Sequence, residues 1–295
     1  MITRRDAIKI SLAAAAALTA GPLGAAGAPR TLFPRIGIGT ARRYDVGTSE
    51  EERAPLRETL REFVKLGGKL VDTAPSYGNA ETVVGDLLAE LKIRDQIFLA
   101  TKVGAGRNGA EAGLAEMKKS LERLRTDHLD LLQIHNLAGV PEMLPILRDW
   151  KKQGLIRYLG ISTSNARQYA ELAEVMKNEQ LDVIQIDYAL DNRAAEETIL
   201  PLAQERKIAV ITNLPFGRGR VFEKFKGEAV PQWAQELGIK TWAQFALEFV
   251  VSHPAVTAAI PGTAKVEYVR DNYQAALGPL PDAATRKRMV ELVES

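Results

Sequence analysis

Residues 70–81 read LVDTAPSYGNAE. A short apolar run of the kind that forms a buried strand ends on the carboxylate of Asp72, and Tyr77 follows in a turn of Pro, Ser and Gly. A charge at the end of a buried strand is costly unless it is paired, so this acid requires a cation brought from elsewhere in the chain. Two further apolar runs end on ionisable residues: IFLATK (97–102) on Lys102 and LDLLQIH (129–135) on His135. Lys102 follows Asp72 by 30 residues, and His135 follows Lys102 by 33. Each interval is about one strand-plus-helix unit of an eightfold barrel of ~250 residues. Ionisable residues recurring at that period gather at one rim, the C-terminal mouth, and the loop carrying Tyr77 leaves from the same rim.

The rest of the chain repeats the unit. RIGIG (35–39), KLVDT (69–73), IRYLGIS (156–162), DVIQIDY (182–188), AVITN (209–213) and TAAIPG (257–262) complete a set of eight strand-like runs. Segments of helical period lie between them, such as EERAPLRETLREFVKLG and GLAEMKKSLERLR, the latter with Glu116, Lys119 and Arg123 on its polar side. Strand–helix alternation implies parallel pairing with right-handed crossovers. The expected fold is α/β, a single (β/α)8 TIM barrel over residues 29–295. A doubly wound open sheet is the rival, but it would need a G-x-G-x-x-G phosphate turn after its first strand, and none is there.

The four residues suit proton transfer at an oxygen. A phenol is a weak acid near neutral pH, with an ordinary pKa of about 10, and a neighbouring ammonium stabilises its phenolate. Lys102 can serve in that way, kept charged by Asp72, while His135 can donate a hydrogen bond to an oxygen on which charge develops. Together they fit protonation of a carbonyl oxygen or removal of a proton from an alcohol. None of them can supply a hydride, so a cofactor must.

Composition narrows the alternatives. Of 295 residues, 46% are hydrophobic and 26% charged, and 39 basic against 37 acidic side chains leave a net charge of +2. No Lys/Arg stripe marks a nucleic-acid partner. The absence of cysteine excludes disulfides, thiolate ligands and a Cys nucleophile. His128, His135 and His253 have no spacing suited to a metal site, so none is expected. Trp150, Trp233 and Trp242 read as packing residues, with Trp233 also placed to wall a substrate pocket. Residues 1–28 stand apart: Arg4, Arg5 and Lys9, then SLAAAAALTA, then GPLGAAGA form the three-part plan of an export signal. TRRDAIK is similar to a twin-arginine signal, with Ala7 where a larger apolar residue is usual. The expectation is a cleaved signal, the twin-arginine machinery as a partner, a bacterial periplasmic location, and no stable membrane insertion after processing.

DTAPSYGNAE, FLATKVG, LDLLQIHN, IRYLGIS, VIQIDY and IPGT together resemble the aldo-keto reductase family in order and spacing, from about Ile36 to the region of Asn272. The resemblance implies that Asp72, Tyr77, Lys102 and His135 form a catalytic tetrad, with Tyr77 the acid/base, and that the chain reduces an aldehyde or ketone, or runs the reverse, with a nicotinamide dinucleotide lying across the barrel mouth. Ser162, Thr163 and Gln185 would face the nicotinamide carboxamide, beside Gly39 and Thr40 of the first strand end. Asn213 stands where many members have a Tyr that stacks on the nicotinamide, and Phe216 is the nearby aromatic. Pro215, Gly217 and Arg218 continue that loop, with Arg218 a candidate for the pyrophosphate. Gly262, Thr263, Lys265, Tyr268 and Asn272 would hold the adenosine end. Tyr268 replaces an Arg common in NADPH-specific members, and Thr263, Lys265 and Arg270 are left to meet a 2′-phosphate. NADP(H) is therefore expected over NAD. The alternative on the same barrel is a nucleotide-binding redox sensor or accessory subunit with negligible turnover.

Overall fold

The structure, a computed structural model, describes residues 33–105 and 109–295. The export signal expected at residues 1–28 lies outside the described residues. Eight parallel strands follow one another in sequence order: β1 (Ile38–Gly39), β2 (Leu70–Asp72), β3 (Phe98–Val103), β4 (Leu129–His135), β5 (Ile156–Thr163), β6 (Val183–Asp187), β7 (Ala209–Asn213) and β8 (Ala258–Ala259). The ring closes between its ends, where Gly37 N donates to Ala259 O (2.8 Å), Ala259 N to Arg35 O (2.8 Å) and Gly39 N to Pro261 O (3.0 Å). This is the expected (β/α)8 barrel. Its first and last strands are shorter than RIGIG and TAAIPG suggest, because the contact beyond β1 and β8 continues only as the single bridges Ile36↔Ala259 and Gly39↔Gly262. Pro261 has no N–H with which to extend the ladder.

Helices cover the outside. They are α1 (Glu50–Lys65), α2 (Ala80–Leu91), α3 (Gly109–Arg123), α4 (Val140–Lys152), α5 (Tyr169–Asn178) and α6 (Ile199–Glu205), then α7 (Arg220–Lys224), α8 (Gln232–Glu236) and α9 (Trp242–Ser252), and finally α10 (Val266–Gln274) and α11 (Ala283–Glu294). Ser49 starts α1 with a capping box: its Oγ accepts from Glu52 N and donates to the Glu52 carboxylate (2.7 Å).

The phase of the strands decides which residues reach the mouth. Leu70, Phe98, Ala100, Leu131, Val183, Ala209, Ile211 and Ala258, with Phe33 and Ile260, pack together inside the barrel. Their neighbours Val71, Leu99, Leu132, Ile184 and Val210 belong to the larger cluster shared with the helices. Each large side chain so buried contributes about 1.5–3 kcal/mol. Two residues beyond an inward one, the chain points inward again. Leu70 thus leads to Asp72, Ala100 to Lys102, Leu131 to Gln133 and on to His135, Val183 to Gln185, and Ile211 to Asn213. The interior is oily in its lower layers and polar at its C-terminal end. A one-residue slip of any strand would send its polar residue out among the helices.

Candidate active site

Asp72 and Lys102 form an ion pair that is almost wholly sealed from solvent, with Lys102 Nζ 2.6 Å from Asp72 Oδ2 and the two side chains 1% and 3% exposed. Lys102 also donates to the Thr73 carbonyl (2.9 Å). The other carboxylate oxygen, Oδ1, accepts from Gln185 Nε2 (2.7 Å) and Gln133 Nε2 (3.3 Å). Four strands therefore meet on one acid. Lys102 lies opposite Gln133 in the β3–β4 register, and His135 and Gln185 flank Ser162 across β5.

Tyr77 completes the group from the loop after β2. Lys102 Nζ stands 5.0 Å from the centre of its ring, and the His135 ring meets it edge-on at 6.2 Å and 86°. The loop is pinned at several points. Tyr77 N donates to Ala74 O (3.1 Å), and Asn79 N donates to the Asp45 carboxylate (2.9 Å). Gly78 takes φ +62° directly against that carboxylate, so a side chain here would be both strained and obstructed. Glu81, fully buried in the first turn of α2, accepts from Thr101 Oγ1 (2.5 Å), Ser120 Oγ (3.2 Å) and Arg123 Nε (2.7 Å). Thr101 precedes Lys102 and faces the other way, so Glu81 ties the element carrying the phenol to the strand carrying the ammonium.

Electrostatics then sets the protonation states. Burial alone would lower the Lys102 pKa, but Asp72 and then Tyr77 outweigh it and the net shift is upward. The partners of Lys102 thus favour its charged ammonium form. His135 goes the other way: burial, reinforced by the Lys102 charge and only partly opposed by Asp72, pulls it down to about 4. It is therefore a neutral imidazole at physiological pH, able to donate one hydrogen bond. The unfolded chain takes up this proton near pH 6.5 and the native one near pH 4. Between those values the unfolded state binds more protons, so the His135 contribution is complete above pH 6.5 and is lost as pH falls toward 4. Thermal unfolding should show this stability loss in the wild type, and His135→Gln should flatten it within that window.

A cavity of about 670 Å3 opens above these residues. Asp72, Tyr77, Gly39, Thr40, Gln185, Asn213, Pro215, Phe216, Arg218 and Gly262 all line it. Gly217 is buried in the turn behind Phe216, with φ +55°. Phe216 packs on Phe222 (ring centres 5.0 Å apart, 56°), and both face the cavity. Ser162 Oγ and Asn213 Oδ1 are buried with no hydrogen-bond partner among the described residues. Thr163 is differently placed: its Oγ1 donates to Gln168 (2.6 Å) and accepts from Asn165 N (3.1 Å), so it serves the turn after β5. Thr263, Lys265, Tyr268 and Asn272 do not line this cavity. They lie on the loop after β8 and along α10, where Asn272 Nδ2 donates to Thr263 Oγ1 (3.2 Å) and Lys265 Nζ lies 5.4 Å from the Tyr268 ring centre. Arg270 is paired with Glu62 (2.8 Å), and Trp233 packs beneath Arg288 and against Phe245, away from the mouth. Gln133, Arg42 and Arg43 are site residues that sequence reasoning missed. Gln133 was signalled by its place two residues before His135 on one strand face, and the arginines by following Thr40 in the loop that leaves β1.

Residues 35–288 match the Aldo/keto reductase family. The chain belongs to that family. A methylglyoxal reductase of Escherichia coli is 31% identical over 245 residues, 81% of this chain and 84% of the relative. An oxidoreductase of Bacillus subtilis is 31% identical over 276 residues, 82% of this chain and 86% of its own. Among solved structures, an aldo-keto reductase of Klebsiella pneumoniae in complex with NADPH superposes with a TM-score of 0.75 at 27% identity, covering 88% of this chain and 91% of that one. The aldo/keto reductase framework accounts for the closed barrel, and the polar layer at its mouth is where this member places Asp72, Lys102, His135 and Tyr77.

Proposed function

We propose that this aldo/keto reductase converts an aldehyde or ketone to an alcohol with NADPH, or runs the reverse, using Tyr77 as the proton donor. The observation that carries the reading is the sealed Lys102 ammonium, held by Asp72 beside the Tyr77 ring, with Asp72 and Tyr77 lining the cavity and Lys102 and His135 set behind its wall. A reduced nicotinamide dinucleotide, when bound in the cavity, would supply the hydride that the carbonyl carbon needs. His135, neutral and half-buried, donates its N–H to the carbonyl oxygen and fixes its direction. The Tyr77 hydroxyl gives that oxygen its proton. Lys102 stabilises the phenolate that remains, and Asp72 keeps the ammonium from turning away. Water then restores the phenol.

The residues present fit a dinucleotide. A nicotinamide carboxamide has donors and an acceptor, which are the partners that the buried Ser162 Oγ and Asn213 Oδ1 lack. Arg218 lines the same cavity, placed for the pyrophosphate. Lys265, at the N-cap of α10, offers a cation and helix amides to a 2′-phosphate. Solved relatives in complex with NADPH, and with NADP and acetate, support the phosphorylated dinucleotide. Oxidation of NADPH and of NADH should be followed with a panel of aldehydes, ketones and quinones. Turnover should favour NADPH, and Ser162→Ala should weaken its binding roughly fivefold, the equivalent of one lost hydrogen bond of ~1 kcal/mol. No oxidation of either nucleotide by any carbonyl would refute the assignment.

Residues 1–28 direct the folded enzyme through the twin-arginine route to the periplasm. The twin Arg4–Arg5, the Ala-rich run and the small residues that follow support this. A reporter fused after residue 28 should reach the periplasm, and Arg4→Lys/Arg5→Lys should hold it in the cytoplasm. A reporter that stays inside with the intact leader excludes the route.

A further inference from the structure

We propose that Arg42 and Arg43 form an anion subsite at the barrel mouth, and that the carbonyl substrate carries a carboxylate or phosphate that binds there. This rests on the carbonyl-reductase reading above and adds the substrate class to it. Several arginines elsewhere in the fold are paired with acids: Arg53 holds Asp86, Arg94 holds Asp130, Arg123 holds Glu81, and Arg270 holds Glu62. Arg42 and Arg43 both line the catalytic cavity, and neither has a carboxylate partner among the described residues. Asp72 is the one acid on the cavity wall among the described residues, and its charge is matched by Lys102 at 2.6 Å. Asp45, in the same loop as the arginines, accepts from Asn79 N (2.9 Å), and Asp191 on another loop is paired with Arg220 Nε (2.5 Å). With Arg218, given to the pyrophosphate above, three guanidiniums without an ion-pair partner among the described residues face a space that also holds Tyr77.

The backbone holds this pair in place. Thr40 N donates to Asp72 O (3.0 Å), and Thr40 O accepts from both Arg43 N and Tyr44 N (3.0 Å each). Tyr44 is wholly buried beneath the turn. Arg42 takes φ +60°, a left-handed conformation that side-chain-bearing residues seldom adopt and that is often kept where function requires it. Arg43 folds inward: a Cβ at Gly262 would stand 3.6 Å from its Cγ and 3.8 Å from its Nε. Two exposed forks of N–H donors at the rim of the cavity match the oxygens of a carboxylate or phosphate. The dinucleotide also carries phosphates, but Lys265, Tyr268 and Asn272 lie outside this cavity whereas Tyr77 lies within it. Arg218 and Gly262 share that wall, and Arg42 and Arg43 are assigned to the substrate because Tyr77 opens onto the same space.

The full chain should be assayed with NADPH and three aldehydes of one shape: 4-carboxybenzaldehyde, 4-formylphenyl phosphate and the neutral methyl 4-formylbenzoate. An anionic aldehyde should exceed the ester in kcat/KM by about tenfold or more, the scale of a charge-assisted contact. The ratio should fall by about that factor in Arg42→Ala and Arg43→Ala through KM, and return only in part in the Lys variants, which keep the charge and lose the fork. Fluorescence titration of NADPH supplies the second arm. If the ester matches both anions in the wild type, the subsite is refuted while carbonyl reduction stands. If the Ala variants weaken NADPH binding and leave the selectivity ratio alone, the arginines serve the cofactor and the proposal falls. If no aldehyde is reduced, the functional reading fails and takes the subsite with it.

Discussion

Tyr77→Phe is expected to lower kcat for aldehyde reduction by about 10²–10⁴-fold, the usual contribution of a positioned proton donor. The substitution removes one oxygen from a half-buried ring. The ring's contacts with Lys102 (5.0 Å) and His135 (6.2 Å) depend on its faces and edges, which phenylalanine keeps. The loop should stay in place too, since Asp45, Gly78 and Glu81 hold it through groups the substitution leaves alone. NADPH should therefore still bind, and the melting temperature should stay within about 2 °C of wild type, as surface-like changes of under ~0.5 kcal/mol allow. A steady-state assay paired with a nucleotide titration checks this. A variant that reduces aldehydes at the wild-type rate would remove Tyr77 from the chemistry.

Lys102→Met combines two losses. Turnover should drop at least as far as in Tyr77→Phe, because the phenolate loses its cation. Stability should fall as well, because Asp72 is left as a buried carboxylate with only the amides of Gln185 and Gln133 to answer it. Breaking a buried pair from one side costs about 3–5 kcal/mol, roughly 6 °C or more in melting temperature for a domain of this size. The double variant Lys102→Met/Asp72→Asn removes the stranded charge and should regain most of that stability while staying inactive. Denaturant unfolding and turnover, measured on all three proteins, separate the two roles. A single variant as stable as wild type would mean that the pair does not hold the site together.

The placing of the candidate catalytic residues was legible in the sequence because two periodicities coincide. Residues that end successive βα units share a rim, and residues two apart on a strand share a face, so Asp72, Lys102 and His135 had little choice of position. Gln133 obeys the same parity, but an amide in an apolar strand carries no charge to advertise it. What local sequence hides is commitment across the fold. Arg270 is paired with Glu62, 208 residues away. The Thr163 hydroxyl is engaged by Gln168 in its own loop, and Trp233 is drawn under Arg288. Each has side-chain chemistry suited to the mouth, and each finds a partner that only the folded chain brings within reach. Arg42 and Arg43 are the converse: both line the cavity, and neither forms an ion pair with a carboxylate among the described residues.

Single-turnover reduction with NADPH dideuterated at C4 tests the central claim, that the four converging groups protonate a carbonyl oxygen while its carbon receives a hydride. Mass spectrometry of the product alcohol should find one deuterium, bound to carbon at the former carbonyl, in wild type and none formed on the same timescale by Tyr77→Phe. Alcohol without deuterium on that carbon, or labelled alcohol made equally fast by both proteins, would contradict the account.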